Sequence, residues 1–162
     1  MKIHEHLIQI NALGESAMVR LTRAQLWAGL VLRAEDPAQF IAHLEGALIL
    51  ERREADGAIE LERELDFGGF TVRDSIRLTP ESESLTLVAG TERWPSSSFL
   101  IRIEEPTPGE LFLRFIYESN EPEPHSDEDA MGLKLRRQAY EQADMETARR
   151  IRQLAEAGEL DD

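Results

Sequence analysis

The stretch LERELDFGGFTVRDSIRL, residues 61–78, decides how the chain folds. Alternate residues leading into its two glycines are Ile59, Leu61, Arg63, Leu65 and Phe67, and alternate residues after them are Phe70, Val72, Asp74, Ile76 and Leu78. A period of two with one apolar face marks a half-buried strand, and Gly68-Gly69 between two such runs predicts a tight antiparallel hairpin. With the glycines as the loop, Phe67 faces Phe70, Leu65 faces Val72, Arg63 faces Asp74 and Leu61 faces Ile76. The only two charges on this apolar face are therefore directly opposed, at the close spacing of a cross-strand pair. A lone charge there would be costly to bury, and a hydrogen-bonded pair offsets much of that cost.

The same alternation extends outward. It predicts a first strand over residues 3–11 and a meander of strands over 47–54, 58–67, 70–79, 84–91, 98–105 and 110–118. Asp56-Gly57 signals another two-residue hairpin, because both central residues of such a turn favour positive φ. PESE (80–83) and PTPGE (106–110) turn the later corners. Across the PTPGE turn, Phe99, Ile101 and Ile103 are expected opposite Phe115, Leu113 and Leu111, in a row that continues to Tyr117.

Helical spacing appears in three places. Thr22 and Gln25 form a capping box ahead of Leu26, Trp27, Leu30, Val31 and Ala34. Asp36-Pro37 predicts a second short helix with Phe40 and Leu44 buried. After the polar loop NEPEPHSDED (120–129), Ser126 or Asp127 caps a long helix that runs to about Ala157, where Gly158 stops it. Met131, Leu135 and Ala139 are expected to form one buried stripe, and Leu133, Tyr140, Ile151 and Leu154 an adjoining one. Residues 158–162 are expected to fray. With no repeat or linker, residues 1–157 read as a single domain.

The expected class is α+β, in the order β-α-α-β-β-β-β-β-β-α. A curved antiparallel sheet of about seven strands would wrap around the C-terminal helix, leaving a cavity between the two.

Composition narrows the function. The net charge is −14 with only two lysines, which argues against nucleic acid and anionic membranes as partners. There is no cysteine, which removes disulfides, thiolate metal sites and a cysteine nucleophile. The start MKIHEHLIQIN lacks the basic head and unbroken apolar core of a signal peptide. No apolar run approaches the ~20 residues of a membrane span. The expectation is a soluble cytoplasmic protein of unspecified oligomeric state. Nucleotide-binding glycine motifs and the G-x-S-x-G nucleophile motif are absent. His4 and His6 form an H-x-H on a strand, but sequence offers no third ligand, so neither metal nor cofactor is expected.

The Arg63-Asp74 pair admits two readings. It is structural, or it is the polar anchor of a ligand cavity. A guanidinium has five N–H donors and Asp74 occupies only some of them, which would leave a fork for a carboxylate, carbonyl or phenolate. The cavity would be lined by Leu61, Leu65, Val72, Ile76, Ile101, Phe115, Met131 and Leu135. Tyr117 either offers its hydroxyl to that space or fills the end of the sheet. Trp94, beside Pro95, is a lid or a plug, and His6 is a cavity residue or a packing residue.

EHLIQIN at 5–11, the residues LTRAQLW and GLVLRAEDP within 21–37, LERELDFGG and VRDSI within 61–76, and IEEPTPG onwards at 103–118 resemble the AtaL-like branch of the START-like superfamily. That superfamily includes polyketide cyclases, lipid-transfer domains and plant allergens. The resemblance implies a helix-grip fold with an internal hydrophobic cavity, and it carries no catalytic residue to this chain. It implies, first, binding of a small lipid-, sterol- or polyketide-like ligand. A polyketide cyclase or aromatase using the same cavity is the alternative, so enzyme status stays open. An interaction module with a filled core is the second alternative.

Overall fold

Thr22 accepts a hydrogen bond from the Gln25 amide, and the Gln25 side chain accepts one from the Thr22 amide. This reciprocal cap starts α1, Arg23–Glu35. The computed structural model describes residues 1–12 and 19–161. Asp36-Pro37 opens only a single 3-10 turn, Pro37–Gln39, where a second helix was expected. Ser126 caps α2, Asp127–Glu156, with its side chain accepting from the Asp129 amide. At 30 residues, α2 is about 45 Å long. No described helix is long and apolar enough to cross a membrane.

The strands are β1 (Lys2–Asn11), β2 (Gly46–Ala55), β3 (Ala58–Asp66), β4 (Thr71–Thr79), β5 (Glu83–Val88), β6 (Ser97–Thr107) and β7 (Glu110–Ser119). They form one antiparallel sheet in the order β1-β7-β6-β5-β4-β3-β2. Five hairpins build it, and β1 then docks on β7 to complete the far edge. The architecture is the expected α+β helix-grip, a curved sheet around a long C-terminal helix.

The β3–β4 register is the one the alternation dictates: Arg63 opposes Asp74, Leu65 opposes Val72 and Leu61 opposes Ile76. At the turn, Phe67 donates its amide to the Phe70 carbonyl, and Gly68 takes φ +91°, a conformation that L side chains rarely adopt. The β6–β7 register differs from expectation by two residues. Phe99 opposes Tyr117, Ile101 opposes Phe115 and Ile103 opposes Leu113. The turn is tighter than the PTPGE string implies, with Thr107 already paired to Glu110 and a bulge after Glu104. A two-residue slip keeps every side chain on its expected face.

The larger core cluster joins Leu26 and Leu30 of α1, Ile101, Leu113 and Phe115 of the sheet, and Ile151 and Leu154 of α2. A smaller one joins Leu61, Ile76 and Leu78 to Ala34, with Trp27 and Val31 packed against it. The expected Met131-Leu135-Ala139 stripe is not the buried one: Met131 is 55% and Leu135 58% exposed. The adjoining expected stripe is the inward one: Leu133, Tyr140, Ile151 and Leu154 face the sheet and α1, joined by Asp144 and Thr147. Two residues are about 200° of helical turn, so placing Leu133 inward sends both Met131 and Leu135 outward. The tail beyond Gly158 also departs from expectation. Leu160 is buried in the larger core, and Gln25 donates to the Asp161 carboxylate. Asp162 lies outside the described residues.

Candidate functional site

Between the concave face of the sheet, α1 and α2 lies a cavity of about 610 Å³. The strands deliver alternate side chains to it: Arg63 and Leu65 from β3, Val72 and Asp74 from β4, Thr86 from β5, Phe99 from β6 and Tyr117 from β7. α1 contributes Arg33, and α2 contributes Tyr140 and Arg136.

The Arg63-Asp74 pair is closed on itself. Nε and Nη2 of Arg63 donate to the two Asp74 oxygens at 2.9 and 2.7 Å, and Nη1 donates to the Ala34 carbonyl at 2.8 Å. Arg63 is 3% and Asp74 5% exposed. Three of the five donors of Arg63 are thereby used, and they tie the sheet to the end of α1.

Arg33 has more to offer. Its guanidinium carbon lies 5.4 Å from the centre of the Phe99 ring, and its Nε donates to Thr147 Oγ1 at 3.4 Å. Neither of its terminal nitrogens hydrogen-bonds any described residue. Burial draws its pKa below the ordinary arginine value, partly offset by the nearby Tyr117 and Asp144. Sequence reasoning missed Arg33 because an arginine near a helix C-terminus reads as a favourable partner of the helix dipole. Its position one residue before the buried Ala34 was the available signal.

An aromatic column crosses the cavity from sheet to helix. Phe99 stacks on Tyr117 at 4.2 Å between ring centres, and Tyr117 stacks on Tyr140 at 4.1 Å. The Tyr117 hydroxyl donates to Oδ1 of Asp144 on α2. Asp144 is 1% exposed, and burial pushes its carboxyl up to about 6 despite that hydrogen bond. Burial, reinforced by the Asp144 charge, likewise raises the Tyr117 phenol. Asp144 left no mark as a core residue in the sequence, because an acidic residue on a helix normally faces water.

At the mouth, Trp94 lies 6.1 Å from Phe70, edge to face, and Phe70 stacks on Phe67 at 5.2 Å. Trp94 is thus a wall of the opening. On another side, Arg136 donates to both carboxylate oxygens of Glu121, at 3.0 and 2.8 Å. Of the residues expected to line the space, Arg63, Asp74, Leu65, Val72, Tyr117 and Trp94 do so. Leu61, Ile76, Ile101 and Phe115 are buried in the core clusters. Met131 and Leu135 are exposed on the outer face of α2. His6 sits behind the cavity, its Nδ1 3.5 Å from Asp144 Oδ2.

The family model for AtaL, acetylaranotin biosynthesis cluster protein L, matches residues 8–158. The chain belongs to the AtaL family. No curated protein matches it. Among solved structures, this AtaL-family chain is similar to the di-domain ARO/CYC StfQ from the steffimycin biosynthetic pathway, with a TM-score of 0.64 and 12% identity over 94% of the chain. It spans about half of StfQ, 51% of that chain. A START superfamily protein from Mycobacterium smegmatis is similar at TM-score 0.59 and 17% identity, covering 93% of this chain and 97% of that one. The Zhui aromatase/cyclase from a Streptomyces species follows at TM-score 0.55 and 17% identity, covering 94% and 92%. These similarities establish a shared fold.

Proposed function

We propose that the chain binds one small, largely apolar molecule between the sheet and α2, with Arg33 gripping its polar end. The cavity carries this reading: about 610 Å³, walled by aromatic and aliphatic side chains, with one unengaged guanidinium fork. Small-molecule sites typically enclose roughly 300–1,000 Å³ with a few convergent polar groups. A planar fork suits a carboxylate, carbonyl or phenolate. Arg63 and Asp74 join this anchor as a fixed charge pair, through the two N–H groups that Arg63 has left. A lipid-, sterol- or polyketide-like molecule has the required apolar bulk, and the family's name from acetylaranotin biosynthesis fits a biosynthetic intermediate.

The test is a fluorescence titration with anilinonaphthalene sulfonate, which joins an apolar aromatic body to one anion. The expected result is saturable binding of one probe per chain, weakened about 10- to 100-fold by Arg33→Ala, the worth of a hydrogen bond to a charged group. Unchanged affinity in that variant contradicts the anchor, and absence of saturable binding contradicts the cavity reading.

One observation favours an enzymatic version. Tyr117 reaches the cavity while its hydroxyl donates to the buried Asp144 carboxylate. Such a pair is suited to moving a proton, with Arg33 polarising a carbonyl, and StfQ and Zhui are named as aromatase/cyclases. Tyr117→Phe would then still bind an aromatic precursor but fail to convert it. Conversion at the wild-type rate would sink the enzymatic version.

A further inference from the structure

Behind the aromatic column, three polar side chains converge, joined only by the 3.5 Å approach of His6 Nδ1 to Asp144 Oδ2. His4 and His6 are two residues apart on β1, so both point to the concave face. Asp144 meets them from α2, more than 130 residues later in the chain. His4 Nε2, His6 Nδ1 and Asp144 Oδ2 are each buried and without a hydrogen-bond partner in the structure. Buried polar atoms are nearly always paired, so three orphans on three neighbouring side chains call for a common partner. One ligand atom from each residue lies within 4.8 Å of the others.

We infer that His4, His6 and Asp144 form a binding site for a divalent transition-metal ion such as zinc. The inference stands apart from the proposed ligand cavity. Two imidazoles and one carboxylate suit a borderline ion of the zinc type and poorly suit calcium or magnesium, which prefer oxygen ligands. Three protein ligands leave at least one coordination position for water or another molecule. The other oxygen of Asp144 accepts from Tyr117, the kind of outer hydrogen bond that holds a ligating carboxylate in place. Two bonds of about 2.1 Å at a tetrahedral angle separate their ligand atoms by only ~3.4 Å. Binding therefore draws the imidazoles inward, a movement open to His6, whose side chain is 22% exposed. The His-x-His of β1 looked incomplete in sequence because its third ligand lies on the last helix. Tyr117 belongs to both the cavity wall and the Asp144 hydrogen bond, so it links this site to the cavity.

The test is titration of the chelator-treated full chain with cobalt(II), read by visible absorption, followed by competition with zinc. One cobalt ion per chain is expected, with the strong bands of a four- or five-coordinate site. His4→Ala, His6→Ala and Asp144→Asn should each weaken binding at least about 100-fold, while His43→Ala and His125→Ala should leave it unchanged. Thermal unfolding distinguishes lost binding from lost folding. As a second readout, zinc should raise the Tm of the wild type and of the His43→Ala variant but not that of His6→Gln. The inference is overturned if the wild type shows no such bands, or if binding depends on His43 or His125.

Discussion

Arg63 commits three N–H groups to Asp74 and Ala34, whereas Arg33 commits one weak hydrogen bond and a cation–π contact. Arg63 therefore carries more of the fold's stability, and Arg33 has more donors to offer a ligand. Removing Asp74 strands a guanidinium that is 3% exposed, so Asp74→Ala should destabilise the fold by about 3–5 kcal/mol in urea unfolding. Replacing both partners, as Arg63→Met with Asp74→Leu, should cost far less, because no charge is left unpaired. A double variant as unstable as the single one would contradict this. Arg33→Ala should cost no more than about 1 kcal/mol of stability, since its contacts are few. The Arg63-Asp74 pairing was legible in the sequence because a two-residue turn fixes the register. Arg33 and Asp144 were not, because the side chain that makes a charged residue inward-facing belongs to a distant strand.

Elements meet through specific close approaches. Gly29 of α1 lies so near α2 that an added Cβ would stand 2.8 and 2.9 Å from Ile151 side-chain carbons. Alanine would gain about 1 kcal/mol of helix propensity. Overpacking against a fully buried Ile151 costs about 1–3 kcal/mol, so Gly29→Ala should lower the Tm, and adding Ile151→Val should recover part of the loss. A raised Tm in the single variant would show that the two helices part easily.

On the outer face of the sheet, Arg114 of β7 joins Glu104 of β6 to Glu5 of β1. The Arg114 hydrogen bonds and, for Glu5, foremost the Lys2 bond, hold both carboxyls below their ordinary value of 4.5. A carboxyl with a lowered folded-state pKa contributes stability that is present above 4.5 and lost as pH falls through the folded value. Unfolding free energy should therefore drop below pH 4.5, and Arg114→Leu should flatten that part of the profile. Identical profiles would contradict it. The strands were readable because an alternation of two needs only local residues. The inward face of α2 was readable in part, as the stripe Leu133, Tyr140, Ile151 and Leu154, but Asp144 and Thr147 were not, because they break the apolar pattern that marks a buried helical face.

At the scale of the whole molecule, the sheet must curl to cover a 30-residue helix, and the two do not meet along their full length. Leucine and isoleucine close one part, around Leu113, Ile151 and Leu154. Arginine, tyrosine and serine hold another part open. Arg63, Asp74, Tyr117 and Arg136 are held there by their own hydrogen bonds, while the terminal nitrogens of Arg33, unbonded among the described residues, stay free for a ligand. The most direct test is native mass spectrometry of the full chain purified from its own host, beside Val72→Trp, which places a large side chain in the cavity wall. The account predicts one non-covalent small molecule on the wild type, absent under denaturing conditions and absent from the variant. A bare wild-type mass, combined with no displacement of the fluorescent probe by any apolar compound, would contradict it.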